Sequence, residues 1–399
     1  MALALTALLA IHGAIHLLGF LKWSRLAAVD PLGGRALVPL SPAGEHLFAA
    51  GWLIALALLL AAAGLRIARH QDWWPVALAG AILSQALVVL AWPDAKAGTV
   101  ANILIVVAAL MAAAHARFVS LVDSEARGLI AQAHADTSVV ARAELDALPA
   151  PVSRWLAASG VVGRPRAATV RLRQQGEMRT RPDAAWMPVE AQQYFSVDPP
   201  AFVWRVDATM MHALPIAGRD RYAGGHGQML IKAGALVNVV NADDDKIALG
   251  SMLRYLGEII WFPSAALSPG VSWQAIDETH ARATMRDAGL TATAFFTFDE
   301  EGRVRHFGAM RYLGAGKDAK LTPWVASCSE WRDFEGIRVP TRGEVGWELS
   351  AGTFIYYRWQ ILDVQYNRPD LYPSRPAPRS EPQPPRSASA VASHAGGGP

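Results

Sequence analysis

Four stretches of this chain carry no Asp, Glu, Lys or Arg: residues 2–21, 46–65, 73–93 and 97–116. Each is about the length needed to cross a bilayer as a helix. Lipid offers no partner to an unpaired backbone amide, so segments of this kind must close their hydrogen bonds internally, as helices do. The rival is a buried helix in a large soluble core, but four such runs inside the first 116 residues argue against it. A cleaved signal peptide has a basic region ahead of its apolar stretch; the first run has none and is therefore read as an uncleaved helix. Trp23, Trp73, Trp74 and Trp92 fall at span ends, where an aromatic belt belongs, while Trp52 falls deeper.

Composition agrees with a membrane protein, with 52% apolar and 18% charged residues. The net charge of +3 is small and spread out, and gives no footprint for nucleic acid. Cys328 is the only cysteine, which excludes an intramolecular disulfide and a cysteine-rich zinc site. Four spans place both chain ends on one side. Lys22, Arg25, Arg35 and Lys96 flank one side of the bilayer and Arg66, Arg69, Arg117 and Arg127 the other, so the positive-inside rule is balanced. Assigning the long first loop to the cytoplasm gives a multi-pass protein of the inner (cell) membrane with its large domain outside the cytoplasm.

Beyond the spans the pattern changes twice. Residues 119–149 are alanine-rich and charged, with Leu121, Leu129, Val140 and Leu148 at helical spacing, and are expected to form an amphipathic helical connector. A short helix around Ser153–Ala158 stops at Gly160. From about Ala167 the period becomes two: Val170, Leu172 and Gln174 alternate with Arg171, Arg173 and Gln175. Strand pairs are expected around turns at Pro199–Pro200, Glu300–Gly302, Glu335–Gly336 and Ser350–Gly352. The expected architecture is α+β: a four-helix transmembrane region over 1–118, the connector, and a mainly antiparallel curved β-sheet domain over 150–371. A short helix over 251–261 is expected to cross that sheet, and the Pro- and Ser-rich tail 372–399 is expected to be disordered. Nine of the 14 tryptophans follow residue 150, more than a plain sheet core needs, which suggests a sheet lining an apolar groove.

The stretches GAIHLLGF, PPAFVWRVDATM, GRDRYAGGHGQM, LRYLGEIIWFPSAAL, PWVASCSEWRDFEGIRVPTRGEVGW and GTFIYYRWQILDVQYN together resemble a bacterial and archaeal family known as a domain of unknown function. The resemblance spans roughly residues 150–368. Its fold is similar in outline to the curved antiparallel sheets of lipoprotein-carrier proteins, an analogy of fold that does not fix a function. No catalytic residue transfers with it.

No nucleophile elbow, H-E-x-x-H pair, P-loop or dinucleotide fingerprint is present. The glycines of YAGGHGQM need only supply a tight turn. Asp220, His226 and Glu258 are the candidates for acid–base work, provided the turn folds Asp220 against His226. Arg254 and Glu258, four apart, either pair with each other or leave Arg254 free for an anionic headgroup, with both placed toward a rim. Tyr255, Trp261, Phe262, Trp347, Tyr356 and Trp359 are the candidate apolar-ligand contacts. His12 and His16 share one face of the first span; intramembrane histidines seldom face lipid, so they are candidates for a metal, haem or quinone, with His46 and His115 as possible helpers. Simple helix–helix hydrogen bonding is the plainer role. The function favoured by the sequence is a membrane-anchored lipid or apolar-ligand binding protein. The alternatives are an enzyme acting on a membrane-borne substrate and an envelope assembly protein.

Overall fold

The computed structural model describes residues 2–373 except 28, 30–32, 137 and 212–213. Residues 374–399, nearly all of the expected disordered tail, lie outside the described residues. Tyr372, at the tail's expected start, is buried and donates its hydroxyl to Asp363 at 2.9 Å.

The apolar runs fold as α1 (Ala2–Trp23), α2 (Pro42–Ile67), α3 (Trp73–Leu90), a single turn α4 (Trp92–Ala95), and α5 (Gly98–Gln132). The four long ones are long and apolar enough to cross a membrane, which fits a multi-pass topology. Ser41 caps α2 by accepting the Gly44 amide at 3.1 Å, and Pro42 occupies the first position, where its missing N–H costs nothing. Leu9, Leu59, Ala77 and Ile105 meet fully buried at the bundle centre. Ala62, Ala81 and Ala109 let the backbones approach, and Ile11, Ile54, Ile82 and Ile103 point outward as a lipid-facing surface would require.

The fourth span does not end at the bilayer. Its 35 residues in α5 reach about 52 Å at ~1.5 Å per residue, against a hydrocarbon core of about 30 Å. The protruding part lies on the sheet, with Phe118, Val122 and Leu129 packed against Ala201, Val203 and Ala217. Largely buried ion pairs flank this contact: Asp123 with Arg205 at 3.5 Å and Glu125 with Arg219 at 3.3 Å. Two short helices, α6 (Arg142–Asp146) and α7 (Ala150–Ala158), follow; Gly160 ends α7 with φ +77°, in the left-handed region.

The described residues beyond α7 form β1 (Thr169–Met178), β2 (Met187–Ser196), β3 (Ala201–Met210), β4 (Leu214–Ala223), β5 (His226–Ala233), β6 (Val237–Ala242), α8 (Asp245–Glu258), and then β7 (Val271–Ala275), β8 (His280–Asp287), β9 (Leu290–Phe298), β10 (Val304–Leu313), β11 (Lys320–Phe334), β12 (Ile337–Leu349) and β13 (Gly352–Tyr366). They make one antiparallel sheet of 13 strands in the order β6-β5-β4-β3-β2-β1-β13-β12-β11-β10-β9-β8-β7. Every step except β1–β13 joins chain neighbours, as short connections favour. Gly224 and Gly225, with φ +56° and +79°, make the two-residue β4–β5 turn that the glycine-rich stretch suggested.

This corrects the expectation of a curved sheet. The sheet is open, neither curled nor closed: among the described residues the short strands β6 and β7 are its two free edges. The tryptophan and tyrosine excess has another use. One face is covered by α8 and the 3₁₀ turns Ile259–Trp261 and Pro263–Leu267, and the aromatics fill the layer between as core, with Phe195, Phe202, Tyr255, Phe262 and Phe296 all 2% exposed or less.

Candidate functional site

Asp244 starts α8 by accepting the Lys246 and Ile247 amides at 3.0 and 2.9 Å, six residues ahead of the helix expected from sequence. The helix seats closely on β5, because a Cβ at Gly227 would lie 2.6 Å from the Ala248 Cα. That approach carries Arg254 and Glu258 inward instead of toward a rim. Arg254 donates from Nη1 to Asp220 at 2.7 Å, from Nε to Glu258 at 2.8 Å and from Nη2 to Gln193 at 3.3 Å. Gln193 closes the ring by donating to Glu258 at 2.7 Å, and the guanidinium stacks 4.5 Å from the Trp204 ring centre. Burial pushes the Glu258 carboxyl above the usual carboxylate range, against the opposing pull of Arg254 and Gln193. Burial also works against the Arg254 charge, but Glu258 and Asp220 outweigh it and hold its pKa above the ordinary arginine value.

Of the acid–base candidates, Asp220 and Glu258 therefore meet on one arginine, while His226 is exposed at the β4–β5 turn, opposite Ala223, and joins neither. The aromatic candidates lie in the core. Tyr255 donates its hydroxyl to the Ser196 carbonyl at 3.1 Å, Phe262 packs 4.7 Å from Phe195, and Trp261 meets Trp359 edge to face at 5.3 Å. Trp347 and Tyr356 stack at 6.2 Å. The Trp261 indole nitrogen is buried with no acceptor among the described residues.

In the bundle, His12 and His16 are joined to two other helices. His12 Nε2 lies 2.8 Å from Asn102 Oδ1, and His16 Nε2 lies 2.8 Å from Ser84 Oγ. Asn102 continues the chain by donating to Gln85 at 3.0 Å. His46 is exposed and His115 pairs with Asp207 at 2.8 Å, so neither reaches the pair. No group of three or more metal-ligating side chains occurs among the described residues. Replacing both His12 and His16 with leucine should leave the Ser84 hydroxyl and the Asn102 carbonyl oxygen without their histidine partners, at about 1–2 kcal/mol for each lost interhelical bond. The check is thermal unfolding in detergent, beside metal content and visible absorbance; an unchanged melting curve would show that the bonds contribute nothing.

A large cavity among the described residues was not foreseen. It occupies about 1540 Å³ between the bundle and the outer face of the sheet, the face opposite α8. Its floor is apolar: Leu5, Leu8, Leu104, Ala108 and Met111. From Leu104 to His115 it follows α5 for about 16 Å, into the depth of the span. Its roof is polar, with Gln175, Glu177, Glu190, Asp207, Arg342, Arg358 and Gln360 from five strands, and Arg66 and His115 mark the boundary between the two. Of the six aromatics that the sequence offered as ligand contacts, Trp359 alone also lines it. Beside it, the strand ends nearest the bundle carry exposed Met211, Leu214, Leu236 and Val237. The signal for it in the sequence is parity: Arg171, Arg173 and Glu177 in β1, and Arg205 and Asp207 in β3, sit on alternate residues, on the face that does not carry the core.

A family of unknown function, DUF6544, matches residues 138–359. The chain belongs to this family. The DUF6544 region takes in the α8 core and nearly all of the strands that roof the cavity, while the cavity's floor comes from helices ahead of it. No curated protein matches the chain. Among solved structures, the LolA superfamily protein NE2245 from Nitrosomonas europaea is similar, at 12% identity and a TM-score of 0.34, covering 59% of this chain and 96% of that one.

Proposed function

We propose that this DUF6544 protein is a membrane-anchored binding protein for a lipid or other apolar ligand, and that the ligand occupies the cavity between the bundle and the sheet. The observation that carries the proposal is the division of that one cavity into an apolar floor at bilayer depth and a polar roof on the sheet. An amphiphile presents the same division, with a chain that gains by leaving water and a headgroup that must keep its hydrogen bonds. The exposed apolar strand ends fit contact with the bilayer surface. An envelope partner is the second reading; the unpaired edge of β6, with Val239 61% exposed, offers a strand to extend.

The test is native mass spectrometry of the detergent-extracted full chain. Ala108→Trp puts an indole into the cavity floor and should remove a stoichiometrically retained lipid while leaving the melting temperature unchanged. Equal retention by the variant and the parent would place the ligand elsewhere. Orientation has its own measurement: alkaline phosphatase fused after residue 373 should be active, as an extracytoplasmic domain requires, and an inactive fusion would invert the topology.

A further inference from the structure

The roof of the cavity is a ladder in strict register. Asp207 on β3 faces Glu190 on β2, Glu190 faces Gln175 on β1, Gln175 faces Gln360 on β13, and Gln360 faces Arg342 on β12. The neighbouring rung sets Glu177 on β1 opposite Arg358 on β13. Along the first rung the charge thus runs from acidic at β3 and β2 through two glutamines to basic at β12, about 19 Å across four interstrand steps, with Arg342 also paired to Glu330 at 2.8 Å and Glu344 on β12 facing Arg358 in the second rung. Two features of this ladder do not serve folding. Glu190 and Asp207 are like charges directly opposite each other, an arrangement that destabilises a sheet. Asp207 is answered by His115 at 2.8 Å, but no ion pair or hydrogen bond involves the Glu190 or Glu177 side chain among the described residues. Arg358 turns away from Glu177 to Glu344 at 2.8 Å and lies over the Trp186 ring.

We infer that the cavity selects a phospholipid whose headgroup carries both an anionic phosphate and a primary ammonium. This rests on the reading that the cavity holds an amphiphile. The ammonium lies between Glu190 and Glu177, where its three donors satisfy two exposed carboxylates that no ion pair or hydrogen bond engages among the described residues. The phosphate takes Arg358, whose planar fork matches two phosphate oxygens. The acyl chains run down over Leu8, Leu104 and Met111. An anionic lipid without an amine meets the acidic half of the ladder as repulsion, and that repulsion is the source of the selectivity.

The full chain, exchanged into nanodiscs of equal parts phosphatidylethanolamine and phosphatidylglycerol and released into detergent for native mass spectrometry, should retain phosphatidylethanolamine about tenfold over phosphatidylglycerol. Glu177→Gln with Glu190→Gln should abolish that preference without lowering the melting temperature, because neither carboxylate has a partner to lose. Retention of phosphatidylglycerol equal to phosphatidylethanolamine by the parent, or an undiminished preference in the double variant, overturns the headgroup assignment while leaving a lipid-binding cavity. Absence of any retained phospholipid overturns the underlying reading, and with it this one.

Discussion

Arg254→Ala is expected to cost about 3–5 kcal/mol of folding stability, the usual result of removing one member of a buried ion pair. The cost is large because three groups depend on the guanidinium. Asp220 and Glu258, whose side chains are 16% and 13% exposed, would each keep a charge without its counterion, and Gln193 would lose a donor. The thermal midpoint should fall by on the order of ten degrees. The effect depends on pH with a definite sign. Burial already holds the folded-state pKa of Glu258 above its unfolded value, and removing Arg254 removes the main force opposing that rise. A carboxyl with a raised folded-state pKa contributes stability below its unfolded value and loses it as pH climbs through the folded value. The Arg254→Ala defect should therefore be greatest at neutral pH and shrink on acidification through the window above the usual carboxylate range. Thermal unfolding of parent and variant across that window is the measurement. A loss under about 1 kcal/mol, flat with pH, would mean that the pair behaves like one at the surface.

Trp261→Ala is the second large effect, at about 3–5 kcal/mol for truncating a buried tryptophan to a methyl group. Trp261 is 3% exposed, its ring lies edge to face with Trp359, and its carbonyl accepts the Tyr366 hydroxyl at 2.7 Å. The backbone bond can survive the substitution; the ring contacts cannot. Lipid retained per folded molecule separates packing from binding. We expect the midpoint to fall and retention per folded molecule to hold, since the Trp261 side chain is not among those lining the cavity. A fall in retention at an unchanged midpoint would make Trp261 a ligand contact.

The lengths of the four apolar runs determined the membrane helices, because a backbone in lipid has one local way to satisfy itself. The change of period near Ala167 determined the antiparallel sheet for the same kind of reason: alternation is local, and turns such as Gly224–Gly225 are written in adjacent residues. The pairing of Arg254 with Glu258 was legible at a spacing of four, and so was the shared face of His12 and His16. Their partners were not. Asp220 and Gln193 reach Arg254 from 34 and 61 residues away, and Asn102 reaches His12 from 90. An aromatic-rich strand has the same sequence whether it lines a groove or packs under a helix, so the use of Trp261 and Trp347 as core was decided only when α8 settled on the sheet. The cavity is the extreme case. Its floor comes from α1 and α5 and its roof from strands up to residue 360. Alternation showed which residues of those strands share a face, but strand order and register alone brought Glu190, Glu177 and Arg358 side by side over the helical bundle.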